Sequence, residues 1–536
     1  MVKRIHLFLL LVVLSIGLFA CSSGEVDSTD DTGTDEAESV TDENNEEATV
    51  NEDATLKVAL QSIPPALDPH ITGSTMTMEL ARPVFESLVA FDSNFEPQPV
   101  LAESWDVSDD QKTFTFHLRE GVTFHNGKEM TSADVVASMN RWKELNATAT
   151  RVLGPGEFEA VDDYTVVLTL EDSNFVTFNI LALPAQFAAI MPEEIVGGAG
   201  SGAVEEYIGT GPFKVSEYVS DQYLHLAKFD DYQSLTDAAD GLAGKKEALV
   251  SNIEIDFVSD DSTRVSSMVT GEYHIGRGLP YDNFDQLEAD ANVETHIHEG
   301  GTDFIVFNKE EGFFSNQTAR QAILAGLDKV ALSLGTYSDE RFFDMNHSLS
   351  LQEQVNWYSD AGAELYNQND PEKAAQLLEE AGYNGEEITI IASNIQTHHN
   401  TAIGLQAQLE GLGMNVKLET YEFATILEYR NDPSNWDIFI VDLATESIPT
   451  TYLFYNPTWA GWTDSEEIQD LLDGIQTASN QEEATALAAD LQAAFYEYVP
   501  VIKPSNRQLF NATNTSINGY DFFSNGMILW NVSVEE

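Results

Sequence analysis

A mixed α/β fold is predicted by three observations. Strand and helix patterns alternate from Thr55 to the C-terminus, no fixed-period repeat replaces them, and 43% of the 536 residues are hydrophobic. A chain of this length is expected to form two or three compact units with sizeable cores. The first strand is Thr55–Leu60 (TLKVAL), and Pro64 and Pro65 break it before the turn Leu67-Asp68-Pro69. From Leu67 to Trp142 the pattern gives a helix, a short strand, a loop, two alternating strands around a tight turn, and a capped helix. Thr113 to Leu118 alternates small or polar with apolar residues, as a half-buried strand does. His125-Asn126-Gly127 supplies an Asn-Gly turn after Val122-Thr123-Phe124. Thr131-Ser132-Ala133-Asp134 offers side-chain oxygens to the free amides that open the next helix. Gly197 to Gly202 (GGAGSG) is expected to be a flexible loop, without the lysine and hydroxyl of a phosphate-binding P-loop. Further strands are expected at Asp303 to Asn308, Glu387 to Ala392 and Trp436 to Asp442. A helix is expected over Thr401 to Leu412, and another from Thr463 or Asp464.

The N-terminus reads as a targeting segment. Lys3 and Arg4 precede an apolar run from Ile5 to Ala20, too short to span a bilayer and typical of a signal peptide. The run ends at Leu18-Phe19-Ala20-Cys21, and Cys21 is the only cysteine in the chain, so the fold has no disulfide available. Small Ala20 before a sole cysteine resembles a bacterial lipobox and makes Cys21 the expected lipidation site. Residues 22–54 hold 13 acidic and no basic residues and lack aromatics, the composition of a disordered tether.

Charge excludes some partners. The chain carries 90 acidic against 25 basic residues, a net charge of −65, and most of the excess lies in the folded part. Such a field repels nucleic acid and anionic membrane surfaces. It suits a saline or alkaline exterior, where salt screens the self-repulsion. No His-Glu-x-x-His motif, Gly-x-Ser-x-Gly elbow, Walker loop or nucleophilic cysteine of the fold is present, so no catalytic role, metal or cofactor is expected.

The wording PVLAESW, FHLREGVTFHNGK and TSADVVASMNRW, in this order, resembles the extracellular solute-binding proteins of family 5, the peptide, nickel and related receptors of ABC importers. Thr210 to Tyr218 (TGPFKVSEY), Ile253 to Gly276, Ala319 to Leu332 and Pro371 to Tyr383 are similar to further elements of that family. The resemblance implies two lobes that close around a ligand at a hinge, with a subdomain inserted in lobe one. Carried over, lobe one takes 55–95, 210–299 and 501–536. The inserted subdomain takes 96–209, and lobe two takes 300–500. Hinge crossings are expected at Gly300-Gly301 and Tyr498-Val499-Pro500. The implied protein is a monomeric, non-catalytic, lipid-anchored receptor outside the cytoplasmic membrane. Its implied partners are a small peptide or other solute, and an ABC permease with its ATPase subunits. Alternatives are a nickel–metallophore or sugar receptor, an extracytoplasmic hydrolase and a structural surface lipoprotein.

Candidate ligand contacts follow from the same resemblance. Leu443 to Ser447 should emerge at the C-terminal end of strand Trp436 to Asp442, where ligands bind in α/β sheets. Peptide-binding relatives place Trp-x-x-Asp there, and here Leu443 and Glu446 stand in the two positions. Glu446 is therefore the candidate partner of a peptide ammonium. Trp459 and Trp462 are candidate aromatic walls or, equally, anchors of the following helix. Some dipeptide receptors hold the substrate carboxylate with an Arg in the loop after strand Glu387 to Ala392. No Arg occurs between Ile388 and Leu412, and His398 or His399 is the candidate substitute. Ser74 and Thr75 could donate from lobe one, and Tyr281 could reach the cleft.

Overall fold

The computed structural model describes residue 51 and residues 53–535. The signal-peptide segment, Cys21 and nearly all of the acidic tether lie outside the described residues. Among the described residues no helix is long and apolar enough to cross a membrane.

One twelve-stranded sheet organises the chain. Its main path runs Asn415–Tyr421, Glu387–Ser393, Ile438–Leu443, Val293–Phe307, Asn506–Asn514, Ile275–Arg277, Thr55–Leu60, Asn252–Phe257, Tyr223–Lys228 and Phe213–Val219. Each end has a parallel core. Thr55–Leu60 lies parallel to Asn252–Phe257 and Ile275–Arg277, and Glu387–Ser393 lies parallel to Asn415–Tyr421 and Ile438–Leu443. Parallel strands are covered on both faces, which is why Ile438 to Val441 is an unbroken apolar run, all of it buried.

The strand Val293–Phe307 crosses the middle. It pairs with Asn506–Asn514 from Val293 to Thr302, and with Ile438–Leu443 from Thr302 to Phe307. The register slips between Glu299 and Thr302, a bulge that changes the strand's neighbours. Gly301 adopts φ +94°, which a side chain would strain, and a Cβ on Gly300 would sit 2.3 Å from Leu509 Cγ. At the second expected crossing Val499 is left-handed (φ 53°) and Val501–Ile502 joins the sheet beside the long strand. The carbonyls here are held by side chains from other elements. Arg320 donates to Tyr498 (2.9 Å) and Val499 (3.0 Å), Lys309 to Pro500 (2.8 Å), Lys329 to Lys503 (2.9 Å), and the Tyr366 hydroxyl to Pro504.

A separate four-stranded antiparallel sheet, Ala102–Val107, Thr113–Leu118, Thr165–Thr169 and Glu157–Asp162, packs near helix Ser132–Leu145. Phe114, Phe116 and Leu118 face inward as their alternation requires. Thr131 caps the helix in a box with Asp134, and Asp134 also accepts from Lys128 at 2.7 Å. Trp142 is wholly buried and its indole N–H donates to the Gln186 carbonyl at 2.7 Å.

Three local expectations change. The helix Glu193–Ala199 runs through Gly197 and Gly198, and the chain turns only at Gly200. The rest of the glycine stretch is pinned by Arg141, which donates to the carbonyls of Gly200 (2.9 Å) and Gly202 (2.6 Å). The stretch Ala319 to Leu332, similar to a single helix of the family, is here parts of two helices, Gln317–Gly326 and Lys329–Tyr337, because Asp328 turns and caps the second through the Ala331 amide. The helix expected from Thr401 begins at Gln396, which places both histidines inside it.

Arg141 also pairs with Asp68 at 2.7 Å, and that carboxylate is completely buried. Removing one partner strands the other charge in a low-dielectric site. Asp68→Ala is expected to cost about 3–5 kcal/mol in urea unfolding, whereas a surface change such as Asp109→Ala should move stability by less than about 0.5 kcal/mol.

Candidate ligand-binding cleft

At the C-terminal end of Ile438–Leu443 the chain leaves the sheet through Ala444, Thr445, Glu446 and Ser447. It meets helix Thr75–Ala81 and the hairpin of strands Asp521–Phe523 and Gly526–Ile528. Two adjoining chambers result. The larger, about 470 Å³, is walled by Phe95, Phe522, Phe523 and His298 and by Glu299, Asp344, Glu353 and Asn506. The narrower one is lined by Thr75, Met78, Arg82, Glu446 and Ser447. Thr445, Ser524 and Asn525 line both.

Glu446 is held from several sides. Its carboxylate accepts from the Thr451 hydroxyl at 2.7 Å, and its carbonyl accepts from Gln354 at 2.8 Å. Burial pushes its pKa up to about 7, against the Thr451 hydrogen bond and the charge of Arg151. Glu299 sits at the bulge of the long strand, accepting from the Gly301 amide (2.8 Å) and the Thr445 hydroxyl. Burial raises its pKa too, opposed by those two hydrogen bonds and by Lys503 and Arg507.

The hairpin tip that closes the large chamber is fixed by backbone geometry. Ser524 and Asn525 both have positive φ (47° and 61°), the two-residue turn whose twist matches its strands. Arg82 donates to the carbonyls of Phe523 (3.0 Å) and Ser524 (2.9 Å), so the tip is tied to the C-terminal end of helix Thr75–Ala81.

The structure brings Glu446 and Thr75 to one chamber and separates the other candidates from it. Ser74 is the N-cap of helix Thr75–Ala81, accepting from the Thr77 amide. Tyr281 donates to the Gln508 carbonyl at 2.7 Å and stacks on Phe342, inside a separate apolar cluster. Trp462 stacks on Trp436 with ring centroids 5.7 Å apart, and Trp459 packs on Phe439. Both tryptophans therefore anchor the segment before helix Glu466–Gln476 to the sheet. His398 is wholly buried, bonded through Nδ1 to Ser393 (2.7 Å) and through Nε2 to Asp442 (3.0 Å). His399 lies 3.3 Å from the Thr420 hydroxyl.

Glu299, Asp344, Glu353, Asn506 and the phenylalanines were not singled out from sequence, since they come from five segments of the chain. One signal was present: Phe522-Phe523-Ser524-Asn525-Gly526 is a hairpin-turn pattern flanked by aromatics.

Comparison with known proteins agrees with this architecture. The chain is 28% identical over 493 residues to the "Probable peptide ABC transporter periplasmic-binding protein" of Sinorhizobium fredii, covering 87% of this chain and 91% of that one. Its fold matches the oligopeptide-binding protein AppA of Bacillus subtilis, solved with a nonapeptide, at TM-score 0.74 and 19% identity, covering 91% of this chain and all of that one. It matches NikA of Brucella suis, solved with Fe(III)-EDTA, at TM-score 0.76 and 21% identity, covering 90% of this chain and all of that one. The family model for bacterial extracellular solute-binding proteins, family 5, matches residues 96–466. With that match over more than half its length, and with this periplasmic-binding-protein fold, the chain belongs to the family 5 extracellular solute-binding proteins.

Proposed function

We propose that this solute receptor of an ABC importer captures oligopeptides. The observation that carries the reading is the pair of adjoining chambers, with Glu446, at the end of a parallel strand, and Thr75 both lining the narrow one. A carboxylate there can take a peptide ammonium in a charge-assisted bond. The larger chamber, about 470 Å³, has room for a small ligand, and peptide-binding relatives are among the similar proteins. Lobe one is read as 55–95, 210–299 and 501–536, the insert as 96–209 and lobe two as 300–500, with Gly300-Gly301 as one hinge crossing. Ligand touching both lobes shifts the protein to the closed form through its greater affinity for that form. Lipidation at Cys21 and a tether of residues 22–54 would keep the receptor near its permease.

The first test is native mass spectrometry of the protein purified without refolding. Co-purifying masses spaced as peptides support the reading, and a single non-peptide adduct overturns it.

Glu446 gives the reading a pH signature. Arg151, Thr451 and Tyr452 are the groups that face it. Below pH about 7 the empty site is largely protonated, so binding an ammonium must expel a proton. Affinity for peptides with a free amino terminus should fall by up to about tenfold per pH unit below 7, and Glu446→Gln should both weaken binding and flatten that dependence.

Folding stability moves the opposite way. Between the ordinary carboxylate value of 4.5 and about 7, the folded state keeps a proton that the unfolded chain has released. Glu446 therefore stabilises the fold less as pH rises through that window. Urea unfolding of Glu446→Gln should gain on the wild type between pH 5 and pH 8 by on the order of 1–3 kcal/mol.

A further inference from the structure

The larger chamber also indicates which peptides would be held, an inference that rests on the peptide reading above. Three carboxylates line it: Glu299, Asp344 and Glu353. None of the three is in an ion pair within 4 Å among the described residues, although most basic groups in the chain are so engaged or are spent on carbonyls. Lys503 attracts Glu299 and Asp344 without closing an ion pair, and its ammonium donates to the Ser348 carbonyl. Across both chambers the only lining cation among the described residues is Arg82, and both its terminal nitrogens already donate to the hairpin carbonyls. The cleft thus offers acceptors for positive charge and no free guanidinium or ammonium for a ligand carboxylate.

A second observation points to a peptide main chain in the same chamber. Asn506 is 2% exposed, and its Oδ1 accepts from the Thr302 hydroxyl at 3.2 Å. Its amide NH2 has no hydrogen-bond partner among the described residues and lies at the chamber wall. An amide donor with no protein partner at a chamber wall is open to a ligand carbonyl or to water. Phe95, Phe522 and Phe523 supply the aromatic part of the lining, beside Leu351 and Gln508. The rings of Phe95 and Phe523 stand 4.8 Å apart, and Phe522 is already covered by stacked His298 at 4.4 Å and by Arg277 at 5.1 Å. Aromatic carbon of this kind suits the apolar stem of a long basic side chain, whose charged head is left for the carboxylates.

We propose that the receptor selects cationic peptides, with a lysine or arginine side chain of the cargo lying in the large chamber between the phenylalanines and Glu353, Asp344 and Glu299, and a cargo carbonyl accepting from Asn506. Asp344 and Glu353 are exposed to the chamber, so their amide variants should fold normally.

The test is calorimetric titration with three peptides that differ at one position, Ala-Lys-Ala, Ala-norleucine-Ala and Ala-Glu-Ala. A background of 0.5 M sodium chloride suppresses general attraction to the acidic surface. The lysine peptide should bind about tenfold or more tightly than the norleucine peptide, a step of about 1.4 kcal/mol, and the glutamate peptide weakest. In the double variant Asp344→Asn, Glu353→Gln the lysine-to-norleucine ratio should collapse toward one. Equal binding of lysine and norleucine peptides by the wild type overturns the charge selection and leaves the peptide reading intact. A lysine preference that survives in the double variant overturns the assignment to this chamber. If none of the three binds, spermidine separates the remaining cases. Binding of spermidine alone overturns the peptide reading while sustaining a cationic cargo, and no binding at all overturns both.

Discussion

Arg507 occupies the point on which the central strand depends. Its guanidinium donates to the Gly300 carbonyl (3.1 and 2.6 Å) where the register slips, and reaches Asp442 at 3.3 Å and Asp303 at 3.8 Å. Burying these ions costs several kcal/mol each unless every one is answered. His398 answers Asp442 at 3.0 Å, and the Tyr337 hydroxyl answers Asp303 at 2.9 Å. Burial works against ionising Asp442, but His398 and Arg507 hold it well below the usual carboxylate range. Arg507 is raised above its ordinary value, the pull of Asp442 and Asp303 exceeding the cost of burial. The network ties three strands and two helices at one place. It also fixes the strand end from which Thr445 and Glu446 leave, so the cleft inherits its geometry from a group that never touches it.

Cations are scarce in this chain, and their use explains the character of the cleft. Lys309, Lys329 and Arg320 are buried against carbonyls of residues 498–503, and Lys503 against that of Ser348. Burial lowers the pKa of all four, that of Lys503 to about 7. These groups act as donors to backbone that has no ladder partner, as buried carbonyls require. Each cation spent this way is one fewer to neutralise a carboxylate. Glu299, Asp344, Glu353 and Glu446 are without an ion pair within 4 Å among the described residues; Asp344 and Glu353 are exposed to solvent, and the more buried Glu299 and Glu446 are tolerated because hydrogen bonds and an adjoining cleft offset their burial.

Much of the scaffold was legible in the sequence because period and caps are local properties. Thr55–Leu60 and Thr113–Leu118 have the expected limits, and Thr131 caps as its position indicates. The helix Gln396–Gly411 shows what was overlooked. His398, Thr401, Ala402, Leu405 and Leu409 make one buried stripe, but two histidines at its head read as polar and hid the first turn. The break at Leu327-Asp328 was hidden in the other direction, because apolar periodicity continues through it while one capping aspartate ends it. In the cleft, only Glu446 and Thr75 share a chamber among the residues chosen from sequence. Histidine and tryptophan attract notice by type, and here His398 is buried in hydrogen bonds while Trp459 and Trp462 pack on Phe439 and Trp436. Glu299 and Asn506 attract none, yet the bulge at Gly300-Gly301 turns them to the cavity.

The excess of acid over the whole surface does not by itself make the cleft selective. At physiological ionic strength a surface charge is felt over about 8 Å, so distant carboxylates raise the local concentration of any cation without distinguishing one from another. Selection must come from groups within contact of the ligand, where screening water is displaced and one misplaced charge is expensive. Those groups are few: the carboxylates, one open amide and the phenylalanine side chains of the large chamber, with Glu446 beyond Thr445. An anionic side chain placed there would lose its hydration and meet no free cation, since Arg82 is committed to the hairpin. A neutral one would lose nothing and gain only apolar contact. A basic one alone exchanges its hydration for contact with carboxylates, and that order is the one the proposed selection of cationic cargo expects.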